Sequence, residues 1–173
     1  MVLTMDLNKE TPKERVLELA AECGHCGHCC GFAGGYVLKE DLKRIAEFLD
    51  ITERELRKRY TNEIEMFNSK ILRLKSEASS KPYAACVLYD KKQGCMVNDV
   101  KPSYCKIGNC NEHGDSLNQW FMLNHVVNKA DPESIRQWAT YLRQNDAIPG
   151  GSLSELVPDK NKLNRILQYK ILK

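Results

Sequence analysis

Cys23-Gly24-His25-Cys26-Gly27-His28-Cys29-Cys30-Gly31 is the stretch whose reading decides this chain. Its thiols follow a C-x2-C-x2-C-C pattern, with a glycine inside each of the two gaps. A structural zinc site takes four ligands tetrahedrally, usually from two separate C-x2-C knuckles. Here the knuckles Cys23/Cys26 and Cys26/Cys29 overlap and share a thiol. Cysteines at i, i+3 and i+6 fit better the way a loop wraps one face of an iron–sulfur cube, the fourth thiolate coming from elsewhere. The adjacent pair Cys29-Cys30 implies a second centre close by, because consecutive side chains of an extended loop point opposite ways.

Outward from this stretch the chain supplies the missing thiols: Cys86, Cys95, Cys105 and Cys110, with none after Cys110. Eight thiolates divide into two sets of four. The expected partition joins Cys23, Cys26 and Cys29 to one distant cysteine and leaves Cys30 with the other three. Packing alone gives no reason for the glycine-interleaved spacing, although a lone buried thiol would be unremarkable. Five glycines between Gly24 and Gly35 suit a loop folded around something compact, so no helix is expected there. Eight cysteines already complete two sites. His25 and His28 are therefore expected to face solvent or hydrogen-bond sulfur rather than ligate. His113 reads as an exposed loop residue and His125, on a helix with Trp120 and Phe121, as packing or surface.

The chain has 173 residues, 28% of them charged, which suits a single domain over 1–173, with a cysteine-cluster core at 23–110 and a helical C-terminal extension at 111–173. No apolar run approaches the roughly 18 residues of a spanning helix, and the start has no basic region leading into an apolar one. A cytoplasmic protein without membrane association is expected, and in a reducing compartment clustered thiols point to metal rather than disulfides. Two four-thiolate sites, each with a net charge of −2, would turn the formal +3 into −1. Nucleic acid is thus not an expected partner.

The expected fold class is α+β and predominantly helical: a glycine-rich cysteine loop and a small antiparallel sheet hold the metal centres. Thr11-Pro12-Lys13-Glu14 reads as a capped helix start, with Val16, Leu17, Leu19 and Ala20 as its stripe and an end near Glu22. Leu38, Leu42, Ile45, Ala46 and Leu49 mark a second helix, and Thr52 to Glu55 opens a third through a capping box. Short strands are expected at 71–74, 85–89 and 95–100, the last two joined by a hairpin at Asp90 to Gly94. Helices follow around Leu117 to Val127, after an Asp131 cap, and from Leu163 to Ile171, with Pro149-Gly150-Gly151 as a break.

Taken together, these residues resemble the YkgJ-type cysteine-cluster family, whose members are described as zinc- or iron-chelating domains. The family pattern of a C-x2-C-G-x-C-C knuckle, a helical pair, Cys-x-Leu, a second Cys after a turn, and Arg-Pro-x-x-Cys is matched over 23–110. It reads here as Cys23, Cys26-Gly27-His28-Cys29-Cys30, then Cys86-Val87-Leu88, Gly94-Cys95 and Lys101-Pro102-Ser103-Tyr104-Cys105. Lys101 stands where the family has Arg, which replaces a bidentate fork by a point charge. Cys105 is followed by Lys106-Ile107 instead of Arg and an aromatic residue.

The expected function is metal binding through Cys23, Cys26, Cys29, Cys30, Cys86, Cys95, Cys105 and Cys110, as one or two 4Fe-4S iron–sulfur clusters. The protein would carry electrons, or a cluster, to a protein partner that accepts them. Zinc or mononuclear iron is the alternative cofactor, in an interaction module that metal binding helps to fold. The resemblance also implies a third reading, because the family includes flagellin lysine N-methylases: S-adenosylmethionine-dependent methylation of protein lysines. No glycine-rich turn after a strand, with a following acidic residue, supports a nucleoside cofactor. No catalytic residue stands out either, since the acidic side chains read as solvated helix faces.

Overall fold

The computed structural model describes residues 7–21, 26–108, 110 and 113–172. In chain order the elements are α1 (Lys13–Ala20), α2 (His28–Phe32), β1 (Tyr36–Val37), α3 (Lys39–Phe48), α4 (Glu53–Tyr60), β2 (Thr61–Met66) and β3 (Ser69–Leu74). There follow β4 (Tyr89–Asp90), β5 (Gly94–Cys95), a 3-10 turn (Asn98–Val100), α5 (Ser103–Ile107), α6 (Gly114–His125), α7 (Pro132–Tyr141), α8 (Leu153–Leu156) and α9 (Lys160–Leu167). The α+β, mainly helical class is as expected. No helix among the described residues is long and apolar enough to cross a membrane.

The chain divides into two compact units, one formed by 20–64 and 71–112, the other by 1–19, 65–70 and 113–173. The first holds the seven described cysteines. Its core gathers Val37, Leu42, Ile45, Ala46, Leu56, Leu74, Cys86, Leu88 and Val97. The predicted stripe of α3 supplies three of these, and α4 begins as its sequence requires. Thr52 Oγ1 accepts from Glu55 N–H at 3.2 Å, while the Glu55 carboxylate accepts from Thr52 N–H at 2.9 Å. β1 pairs antiparallel with β3 (Tyr36 opposite Arg73, Val37 opposite Leu72) within a sheet ordered β1-β3-β2, and β4 and β5 make a separate two-stranded ribbon.

The second unit is built on α6, α7 and α9. Leu117, Phe121, Ile135, Trp138 and Ile166 are buried, and Trp138 Nε1 donates to the Gly151 carbonyl at 2.8 Å. Asp131 caps α7 by accepting from Glu133 N–H at 2.9 Å, as its sequence implies. His125 is exposed and its ring lies against Phe121, with centroids 4.8 Å apart, so it is a surface residue that packs on a neighbouring ring.

Several expectations are corrected. The cysteine loop is not helix-free: α2 runs over His28–Phe32, with Gly31 N–H donating to Gly27 O at 2.9 Å. The glycine does not prevent the turn but starts it, since Gly27 holds φ at 74°. α1 begins at Lys13, and the Thr11 hydroxyl accepts from Asn8 N–H at 3.0 Å. Its expected end at Glu22 lies outside the described residues.

The strands expected at 85–89 and 95–100 shrink to Tyr89–Asp90 and Gly94–Cys95, because Ala85 and Val87 bond instead to Glu77 and Lys75 around a single Ser76–Cys86 bridge, and 98–100 winds into a 3-10 turn. The last helix stops at Leu167, short of Ile171. β2, α5 and α8 were not expected at all. β2 turns into β3 through Phe67 and Asn68, both at positive φ, a two-residue turn usually signalled by Asn-Gly. The Phe67 ring offsets that strain by packing edge-on against Trp138, with centroids 5.3 Å apart.

Candidate metal centre

The unit formed by 20–64 and 71–112 brings the distant cysteines to α2. Cys86 N–H donates to the Cys30 carbonyl at 2.7 Å, and Ala84 N–H to that of Phe32 at 3.2 Å, so the 84–86 segment runs beside α2. The chain then turns sharply. Tyr89 N–H donates to Cys86 O at 2.9 Å, and the Leu88 amide hydrogen-bonds the Cys86 sulfur. An amide two residues on, aimed at sulfur, stabilises the thiolate form. Cys95 follows through the β4–β5 ribbon, where it stands opposite Tyr89, with Gly94 at φ 80° in the turn.

Cys105 arrives on α5, which packs beside β1. Gly35 lies so close that a side chain there would collide with the Cys105 sulfur, and the Tyr36 and Tyr104 rings meet edge to face with centroids 4.5 Å apart. Cys30, Cys86, Cys95 and Cys105 lie within electrostatic reach of one another. Burial pushes the Cys86 thiol up to about 11, helped by charge on Cys30 and Cys95 and opposed by the Leu88 amide. Burial raises Cys105 further, with Cys86, Cys30 and Cys95 adding to it and Lys101 opposing. In the metal-free chain these two thiols therefore keep their protons at neutral pH, and only a bound cation would make thiolates of them.

The other sulfurs lie further out. Cys29 Sγ and Cys110 Sγ are 3.7 Å apart although 81 residues separate them, and both residues are exposed, as is Cys26. Tyr104 borders both groups: burial raises its hydroxyl, then Tyr36, then the charges of Cys105 and Cys29. Among the described residues, seven cysteines form no disulfides with one another. Among those same residues no three His, Cys, Asp or Glu side chains already stand at metal-holding geometry. As a donor set, four thiols suit a soft or borderline ion such as zinc or the irons of a cluster.

Cys23 and His25 lie outside the described residues. The His28 ring packs on Phe32, with centroids 4.6 Å apart. What the sequence did not reveal is the tyrosine pair Tyr36 and Tyr104 beside the sulfurs, and the need for Gly35 to be bare. The Gly34-Gly35 doublet is the signal in the sequence for that close approach.

Comparison with known proteins fits this geometry. The family model CxxCxxCC, described as "Putative zinc- or iron-chelating domain", matches residues 22–126. An uncharacterized protein of Methanocaldococcus jannaschii, MJ0661, is 37% identical over 90 residues, which cover 51% of this chain and 44% of that protein. The chain thus spans less than half the length of that relative. No solved structure matches.

Proposed function

The chain belongs to the CxxCxxCC zinc- or iron-chelating family, and from that premise we propose that it binds iron–sulfur clusters and passes electrons or a cluster to a protein partner. The observation that carries this is the approach of Cys110 to Cys29. Cys110 would thereby be the distant fourth thiol of the i, i+3, i+6 series Cys23, Cys26 and Cys29, the arrangement that iron–sulfur ligation uses. Cys30, Cys86, Cys95 and Cys105 would hold a second centre, more deeply set. A bound 4Fe-4S cluster would supply a one-electron carrier. The protein's part is to gather the thiols, to direct the Leu88 amide at one of them, and to keep the outer set at the surface, where a partner can reach it.

Anaerobic purification with joint measurement of iron, sulfide and zinc tests the proposal. Iron and sulfide in equal amounts are expected, with visible absorbance that bleaches under dithionite and is lost or halved in Cys29→Ser. A colourless protein loaded with zinc alone, from anaerobic cells supplied with iron, would overturn the iron–sulfur reading and leave a zinc-stabilised module.

A further inference from the structure

We propose that Asp41 and Arg44 are positioning residues for Cys105: together they clamp the 100–103 segment, so that α5 presents its thiol to Cys30, Cys86 and Cys95. The inference rests on the reading of those four cysteines as a metal-binding set. Asp41 is completely buried, at 0% exposure, in the first turn of α3. A carboxylate removed from water persists only where donors surround it. Leu38 N–H supplies one donor at 3.0 Å, an ordinary local bond at the start of the helix.

The remaining donors are not all local. Ser103 N–H reaches both carboxylate oxygens at 3.1 Å, and Ser103 Oγ donates to Oδ1 at 2.8 Å, across 62 residues of chain. Arg44, one turn further along α3, donates from Nη2 to Asp41 Oδ1 at 2.8 Å and to the Lys101 carbonyl at 3.0 Å. Its Nε donates to Val100 O at 3.4 Å. Two side chains thereby occupy the polar groups of Val100, Lys101 and Ser103.

Cys105 lies two residues beyond Ser103, in a helix of five residues. So short a helix does not hold itself, because nucleation is unfavourable and few bonds reward it. The direction of its thiol must come from what grips its ends and sides, and the grip before it is the Asp41–Arg44 pair. What Arg44 engages is the Lys101 backbone, so the exchange of Arg for Lys at 101 leaves the clamp intact.

The test compares Asp41→Asn with Leu56→Ala, which loosens the same core without touching Ser103. Each metal-free variant is alkylated with iodoacetamide under native conditions, and modification at each cysteine is read by mass spectrometry. Loss of the clamp should raise the Cys105-to-Cys86 rate ratio by at least about fivefold in Asp41→Asn, whereas general loosening in Leu56→Ala moves both sites together. Cobalt titration of the same variants should show a weakened thiolate-to-cobalt charge-transfer band in Asp41→Asn and an unchanged band in folded Leu56→Ala. If Asp41→Asn does not fold, Ser103→Ala removes one bond of the clamp and Arg44→Lys replaces its three-bond fork by a point charge, and both should show the same ratio change, only smaller. An unchanged ratio in whichever of these variants folds overturns the proposal even if cobalt binds normally. A raised ratio in Asp41→Asn, together with a wild-type chain that takes up no cobalt, would uphold the clamp and refute the metal reading instead.

Discussion

Replacing Gly35 by alanine puts one methyl group where the Cys105 sulfur already is. A Cβ built on Gly35 collides with Cys105 Sγ and stands 3.3 Å from Tyr104 Cδ1. Since non-bonded atoms settle at roughly 3.5–4.0 Å, the sulfur or the whole of α5 must retreat by an amount on the order of 1 Å. Metal–ligand distances tolerate only about 0.2 Å, so Cys105 would leave the set it shares with Cys30, Cys86 and Cys95. Overpacking of this kind costs about 1–3 kcal/mol of stability. Misplacing a ligand should cost at least the roughly 10–100-fold in metal affinity typical of lost supporting contacts, or about 1.4–2.8 kcal/mol.

The assay is a competition titration of zinc or cobalt against a chromophoric chelator, with metal-free thermal melts run alongside to separate packing cost from binding cost. Gly31→Ala is the control. It lies in α2 next to Cys30, yet a Cβ there meets nothing within 4 Å, and alanine in a helix is favoured by about 0.5–1 kcal/mol. Metal affinity should fall in Gly35→Ala and hold in Gly31→Ala. Equal affinities in the two variants would refute the argument that Gly35 is bare in order to admit a sulfur ligand.

Other outcomes follow from the same geometry. Metal uptake by the inner four thiols at pH 7 should release about one proton per thiol bound as thiolate, measurable by calorimetry in buffers of different ionisation enthalpy. Because burial raises Cys86 from 9.0 to about 11, its contribution to metal-free stability is intact below pH 9 and declines as pH rises towards 11. Chemical denaturation across that range should show a loss on the order of 2 kcal/mol, and a flat profile would contradict the burial. Leu88→Ala, which truncates a side chain 1% exposed between Cys86 and the β4–β5 ribbon, should destabilise by about 2–5 kcal/mol in urea titration. Thr52→Ala breaks a capping box and should cost about 0.5–2 kcal/mol, leaving metal stoichiometry unchanged.

The parts of this fold that were legible in the sequence are those where one local rule decides. Thr52 and Glu55 cap α4, Asp131 caps α7, and Leu42, Ile45 and Ala46 turn to the core at helical spacing, because each depends only on residues a turn away. The missed elements depend on partners far along the chain. Phe67 at positive φ is acceptable only because Trp138 receives its ring, and α5 exists because Asp41 and Gly35 await it. The same division holds for the cysteines. Their spacing marks the chelating family, whereas the closeness of Cys110 to Cys29 and of Cys105 to Cys86 depends on long-range closure that no periodicity encodes.

The one error inside the cysteine motif is instructive about how two sets can share it. An extended loop would send Cys29 and Cys30 to opposite sides; in α2 they diverge by about 100° instead, still enough to face different neighbours. Cys29 meets Cys110 at the surface, while Cys30 belongs with Cys86, whose amide also bonds the Cys30 carbonyl. A single helical turn therefore carries a thiol to each neighbourhood, and Tyr104, which feels the charges of both Cys105 and Cys29, stands where the two adjoin. Any shift of α2 that draws Cys29 outward must also strain the Cys30–Cys86 backbone bond. The surroundings of Cys29 and of Cys30 are thus mechanically linked through the shortest connection a polypeptide has, one peptide bond.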